Sequence, residues 1–263
     1  MEFRKLNLTR GSKTVIGMVH CLPLPGTVGF SGDFEKIVHQ AVMDAETLEK
    51  AGVDAVIVEN MGDVPFSALL EKPQLAALAV VAREVSQRIH IPLGIDAAFN
   101  DCEASLSIAS LVGASFIRVP VFVDTVLFSD GIIYPCARKC LQYRKQMGLE
   151  SVQILADIQV KHAHMLNSSV SMIDSARDAV GNGADAVIIT GAIIGDAAPI
   201  ESLRKIKEIV PVPVLAGSGV KKENIREQLE IADGCIVGSG LKEGGLISNP
   251  VSYALTHDLV LAK

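Results

Sequence analysis

Tryptophan is absent from this chain, and three tyrosines and eight phenylalanines supply all its aromatic surface. Proteins that grip nucleic acid combine stacking aromatics with a basic stripe. No such stripe occurs here, and the formal net charge is -6, so a nucleic-acid partner is not expected. Apolar residues make up 49% of the 263 positions, yet no run approaches the roughly 20 apolar residues of a membrane span. Residues 1–13 are charged and lack the apolar centre of a secretory signal. Cysteine is scarce and odd in number: Cys21, Cys102, Cys136, Cys140 and Cys235. They contain no CxxC pair, so neither a zinc knuckle nor a disulfide framework is expected. Cys136 and Cys140 stand one helical turn apart, a spacing that suits packing. The expectation is a reduced, cytoplasmic protein with no membrane span.

Short β-branched runs alternate with longer segments of helical period, the pattern of βα units around a parallel sheet. Strands are expected at 14–19, 55–59, 93–96, 116–121, 152–157, 186–190, 214–216 and 235–237. Their nearly unalternated apolar character suits strands covered on both faces. Between them, Phe34, Ile37, Val38, Ala41, Ala45 and Leu48 form one amphipathic stripe, and Leu75, Leu78, Ala79, Ala82 and Val85 another.

An internal repeat supports the count of eight. Ala51-Gly52-Val53-Asp54-Ala55-Val56-Ile57-Val58 returns as Asn182-Gly183-Ala184-Asp185-Ala186-Val187-Ile188-Ile189, with weaker copies before the fourth and eighth strands. In all of these copies but the one before the eighth strand, glycine can close a helix in the left-handed conformation before the chain enters a strand. Pro92 and Pro213 introduce the third and seventh strands alike, so the first four units echo the last four. A doubly wound open sheet would carry its glycine-rich turn after the first strand. Here the glycine turns lie at the far end, and the length is close to the roughly 250 residues of a closed barrel. The fold expected is a single (β/α)8 TIM barrel, one domain over residues 1–263.

Barrel sites are built at the carboxyl ends of the strands. Two glycine loops occupy such ends: Gly217-Ser218-Gly219-Val220 after the seventh strand and Gly238-Ser239-Gly240-Leu241 after the eighth. Glycine lets backbone N–H groups approach phosphate oxygens, and barrels often place a phosphate between these two strands. A helix starting near Lys221 would add its positive end, and Lys242 would add a charge. The loop after the fourth strand, Val119-Pro120-Val121-Phe122, has no glycine, so one phosphate site is expected rather than two.

Glu59, Asp96 and Asp157 end three strands and point toward a shared mouth. There they would hold a divalent metal or move protons; otherwise they accept bonds from loop amides. Asp157 leads because Lys161, His162 and His164 follow it, and histidine titrates near neutrality. Arg118 lies inside the fourth strand, where an unpaired cation is costly; it pairs with a barrel carboxylate or binds an anionic ligand. His20 ends the first strand, as a site residue or as a packed loop histidine. Asn60, Asp63 and Thr190 are weaker candidates. Asn100 stands where a helix cap is expected, and Asp54 and Asp185 begin strands at the stability face.

The sequence resembles the BtpA family, named from a member linked to photosystem I biogenesis. The resemblance runs nearly the whole length. It is carried by Val15-Ile16-Gly17-Met18-Val19-His20 with Pro23-Leu24-Pro25-Gly26, and by Gly52 through Glu59 continuing into Asn60-Met61-Gly62-Asp63-Val64-Pro65-Phe66. Ser129-Asp130-Gly131-Ile132-Ile133, Ile154-Leu155-Ala156-Asp157 with Val160-Lys161-His162-Ala163, and both glycine loops extend it. The resemblance implies a phosphate-binding barrel and the location of its site, not a reaction. One departure is the end of the third strand, where the family usually has Asn and this chain has Asp96.

The leading expectation is an enzyme acting on a small phosphorylated metabolite, a sugar phosphate or nucleotide-related compound, by proton transfer as in an isomerase, epimerase or lyase. Asp157 and Glu59 would act as acid and base or as metal ligands, with Arg118 and His162 stabilising negative charge. The alternatives are a non-catalytic binding or assembly factor and a metal-assisted phosphohydrolase. A homo-oligomer is left open.

Overall fold

The computed structural model describes residues 4–191 and 197–263. Eight parallel strands close into a barrel: β1 (Thr14–His20), β2 (Ala55–Glu59), β3 (Leu93–Asp96), β4 (Phe116–Val119), β7 (Gln153–Ile158), β9 (Ala186–Ile189), β10 (Val214–Ala216) and β11 (Gly234–Val237). Their order around the ring is β1-β11-β10-β9-β7-β4-β3-β2. The remaining strands, β5 (Val126–Phe128), β6 (Gly131–Ile133) and β8 (His164–Met165), form a separate antiparallel sheet. Helices α1 (Phe34–Ala51) through α8 (Tyr253–Leu261) pack outside, as the amphipathic stripes require.

The repeat has a physical basis. Gly52 and Gly113 close α1 and α3 (Cys102–Val112) in the left-handed conformation, and Gly183 adopts it two residues past the end of α5 (Met172–Gly181). Aspartates at three of the helix-to-strand joints are inter-strand staples. Asp54 accepts from Val15 N at 2.8 Å, Asp185 from Ile154 N at 2.8 Å, and Asp233 from Val214 N at 2.9 Å. Each carboxylate thus satisfies an N–H within the first two residues of the neighbouring strand, at the barrel's amino end.

Side chains from alternate positions fill the barrel interior, among them Ile16, Ile57, Phe116, Leu155, Ile188 and Leu215. Phe116 occupies the volume that Gly94 leaves free: a Cβ on Gly94 would lie 2.2 Å from the Phe116 ring. A larger apolar layer joins strands to helices.

Strand four stops at Val119, not at residue 121 as the apolar run suggested. The reason is Asn100, whose side chain takes both the N–H and the C=O of Val121, at 2.8 and 3.0 Å. Asn100 therefore neither caps the helix nor faces the site, and Asp101 caps α3 (Cys102–Val112) instead. Strand five is displaced by one residue, to 153–158, because Val152 N is drawn into a turn by Leu149 O. All five cysteines are free and buried. Among the described residues no helix is long and apolar enough to cross a membrane.

Candidate functional site

An open cleft of about 780 Å³ lies over the carboxyl ends of the strands. Most of the side chains expected from the sequence to do chemistry reach it: His20, Glu59, Asp96, Arg118, Asp157 and His162, together with Lys161. Barrel register explains their convergence. His20 is aligned with Glu59, and Glu59 with Asp96, on adjacent strands. Arg118 and Asp157 come from the neighbouring pair β4 and β7.

Two polar pairs and one isolated acid make up the floor. His20 Nε2 lies 3.4 Å from Glu59 Oε2, while His20 Nδ1 is buried with no hydrogen-bond partner. Arg118 donates from Nε to Asp157 Oδ2 at 3.1 Å and from Nη2 to Asp157 Oδ1 at 3.3 Å. Asp96 is 1% exposed, and neither of its oxygens makes a hydrogen bond; its nearest cation is Arg118 Nε at 3.8 Å.

Burial dominates the titration of these groups, because low dielectric penalises charge. It pushes Asp96 well above the usual carboxylate range, reinforced by Glu59 and Asp157 and only partly opposed by Arg118. Asp157 is also raised by burial, more than Arg118 pulls it down. Glu59 goes the other way. Burial raises it, but the hydrogen bond and charge of His20, with Arg118 and Lys161, leave it lowered overall. Lys161 is pushed down by burial and by Arg118, and His162 by burial and by Lys161.

The glycine loops form part of the rim, beside His20. Gly217, Ser218, Gly219, Gly238 and Ser239 all line the cleft. Gly219 has φ +62, which suits glycine, and the N–H groups of Gly219 and Ser239 make no hydrogen bond to other described groups. Gly238 is required by its neighbour, since a Cβ there would lie 2.7 Å from His20 Cε1.

Several expectations need correction here. Gly240 does not line the cleft; it lets the two loops touch, as a Cβ there would sit 2.6 Å from Val220 O. Ser218 Oγ is taken by Gly191 N at 2.6 Å. The helix expected near Lys221 is α7 (Ile225–Ile231), which starts four residues later, and Lys221 N is held by Asn224 Oδ1. Lys242 is buried and structural: its Nζ donates to Ile247 O and Asn249 O, at 3.0 and 2.7 Å, beside Asp44 at 3.6 Å. His164 lies exposed in β8, away from the cleft, and Thr190 Oγ1 accepts from Lys161 N at 3.3 Å. Among the described residues no group of three or more His, Cys, Asp and Glu side chains is arranged to hold a metal ion. Glu59, Asp96 and Asp157 are not gathered as ligands because the Arg118 side chain stands beside the two aspartates.

Residues 11–262 match the BtpA family. The chain belongs to that family. It is 46% identical to an uncharacterized protein of Pyrococcus abyssi, over 92% of each chain. It is 35% identical to the photosystem I biogenesis protein BtpA of Synechocystis, over 90% of this chain and 83% of that one. Among solved structures it is similar to (S)-3-O-geranylgeranylglyceryl phosphate synthase from Thermoplasma acidophilum in complex with its substrate sn-glycerol-1-phosphate. The TM-score is 0.63 with 16% identity, covering 97% of this chain and 94% of that one. N-(5'-phosphoribosyl)anthranilate isomerase from Pyrococcus furiosus is a further neighbour, with TM-score 0.57 and 15% identity over 95% and 98% of the two chains. At such identity these structures establish the barrel alone.

The stretch after β2 that carries the BtpA resemblance is largely structural. Asn60 clamps the backbone of Ala98, accepting from its N–H at 2.7 Å and donating to its C=O at 2.9 Å. Asp63 accepts from Leu24 N, Asn60 Nδ2 and Gln74 Nε2. A Cβ on Gly62 would strike Pro23 N at 2.5 Å and Cys21 O at 2.7 Å, so the loops after β1 and β2 interlock only with glycine. These clamps hold still the loops from which Met61, Phe66 and Phe99 reach the cleft. Sequence reasoning did not single out those three. Their positions in irregular loops leave no periodic signal, although Met61 and Phe66 fall within the stretch of BtpA resemblance.

Proposed function

We propose that this BtpA-family barrel is an enzyme that transfers a proton on a small phosphorylated metabolite, with the whole chain acting as one domain. One observation carries the reading: a buried acid, Asp96, and a buried imidazole nitrogen, His20 Nδ1, are left without hydrogen bonds on the walls of one cleft. Unsatisfied buried polar groups cost about 1–3 kcal/mol each, and such strain is characteristic of groups kept ready for a substrate. The free N–H groups of Gly219 and Ser239 on the rim of the same cleft would receive the phosphate.

The chemistry follows from how the environments separate the carboxyls. Glu59, lowered and paired with His20, is the proton acceptor. Asp96, raised, is the proton donor. Arg118 is held by Asp157 and stabilises the negative charge that develops between them, while Lys161 and His162 close the mouth over the phosphate-bearing end. Asp157 thereby changes from the leading acid–base candidate to the residue that positions Arg118. The two neighbours with phosphorylated substrates support a phosphate-bearing ligand.

Ligand binding is the first test. A ligand that binds the folded state alone stabilises it by about 2.7 kcal/mol at 100 times its dissociation constant. Glycerol phosphate is expected to raise the melting temperature and glycerol is not. Turnover of a panel of phosphorylated metabolites, with and without added magnesium, then separates proton transfer from metal-assisted hydrolysis. The name of the Synechocystis relative favours a second reading, a binding or assembly factor; stabilisation by phosphate esters without turnover of any would favour it.

A further inference from the structure

The wall opposite the glycine loops is apolar. In the closed ring β3 stands four strands from β10 whichever way round it is counted, so the loop after β3 faces the loop carrying Gly219. That loop presents Ala98 and Phe99 to the cleft, and Phe66 and Val160 join them from the loops after β2 and β7. Phe99 is held by stacking on Phe128 of the small sheet, with ring centroids 4.1 Å apart and planes 21° apart; Phe66 packs on it at 6.3 Å and 53°. Together with Val121, Val126 and Ile133 they form an apolar cluster separate from both the barrel interior and the strand–helix layer. Closing the barrel does not require this cluster. The three-stranded sheet and four loops are spent on giving the cleft one dry wall.

We infer that the substrate is a phosphomonoester whose far end is an apolar ring, seated against Phe66 and Phe99 while its phosphate meets Gly219 and Ser239. The inference rests on the phosphate reading above and narrows it. A free sugar phosphate would bring hydroxyls against Phe66, Phe99 and Val160, where they lose water without gaining partners. A ring loses nothing there and gains edge or face contact with the phenylalanines. The reacting carbon then lies between the two ends, over Glu59, Asp96 and Arg118, which the proton-transfer reading needs.

Calorimetric titration with four probes tests this: inorganic phosphate, sn-glycerol 1-phosphate, 2-phenylethyl phosphate and neutral 2-phenylethanol. The phenylethyl ester is expected to bind roughly tenfold or more tightly than the glycerol ester, from the apolar area it buries. Phe66→Ala is expected to remove most of that advantage and leave the affinity for inorganic phosphate unchanged. Phe66→Leu, which keeps the volume and so guards against misfolding, is expected to keep part of it. Equal affinity for the two esters, unaffected by either variant, overturns the ring and leaves the phosphate site standing. Equal affinity for 2-phenylethanol and its phosphate overturns the two-ended substrate. If none of the phosphates binds, the phosphate reading itself falls and this inference with it.

Discussion

Asp157 accepts two hydrogen bonds from Arg118 in the barrel floor, a side-on fork in which both partners are buried. An arginine cannot give up its proton, and its neighbours push its pKa still higher. The buried cation therefore needs a carboxylate near it at every pH, and Asp157 fills that need before it does anything else.

Asp157→Asn leaves Arg118 with Asp96 at 3.8 Å as its nearest acid. Removing one partner of a buried pair costs about 3–5 kcal/mol, and Asp96 keeps the loss near the lower end. For a chain of this size that is a fall of roughly 6–12 °C in melting temperature by calorimetry. An unchanged melting temperature would contradict the positioning role.

Asp96→Asn is expected to act in the opposite direction. The folded protein binds the Asp96 proton more tightly than the unfolded chain does. From about pH 4, the ordinary carboxylate value, up to its raised native value, the folded state therefore holds more protons. Stability falls as pH rises through that window, and the full penalty remains above it. Asparagine does not titrate, so the variant should melt higher at neutral pH and show a shallower decline as pH rises above the ordinary carboxylate value. A variant that melts lower at pH 7, or declines as steeply as the parent, rules out a burial-raised Asp96.

Lys242→Ala strips three contacts from a buried ammonium and leaves Asp44 uncompensated. A loss of about 3 kcal/mol or more is expected, as for a broken buried pair. The stabilisation by glycerol phosphate should survive in the variant, measured below its own melting temperature. If instead stability is retained and the ligand effect is lost, Lys242 contacts the phosphate after all.

Asp233→Ala tests the division of the barrel into two ends. Asp233 is fully buried and accepts from Val214 N, with Gly11 N and Lys207 as further partners. Orphaning these donors should cost about 1–3 kcal/mol for the amides, and more with the lysine. Ligand affinity, read by titration at low temperature, should not change, because the amino end of a barrel serves stability. A drop in affinity comparable to the loss of stability would break that separation.

The eight strands, their parallel ring and the end of the barrel that carries the cleft were legible in the chain itself. The reason is local. Apolar runs, glycine helix ends and the repeated Gly-x-Asp-Ala-Val joint each depend on neighbours within a few residues, and barrel closure leaves one way to join them. Because strand ends converge, Glu59, Asp96, Arg118, Asp157 and His20 were selected by position alone, and all reach the cleft. What tertiary structure decided was the work each is free to do. Nothing in the sequence says that Arg118 takes up Asp157 but leaves Asp96 without a hydrogen bond, or that Lys242 turns inward to two carbonyls across its own loop. Nor does spacing show that Asn60 and Asn100 clamp backbone 38 and 21 residues away, or that Phe66, Phe99 and Phe128 meet over the mouth. These depend on distances between loops remote in sequence, set only when the ring closes and the burial that follows determines which charges and amides must find partners.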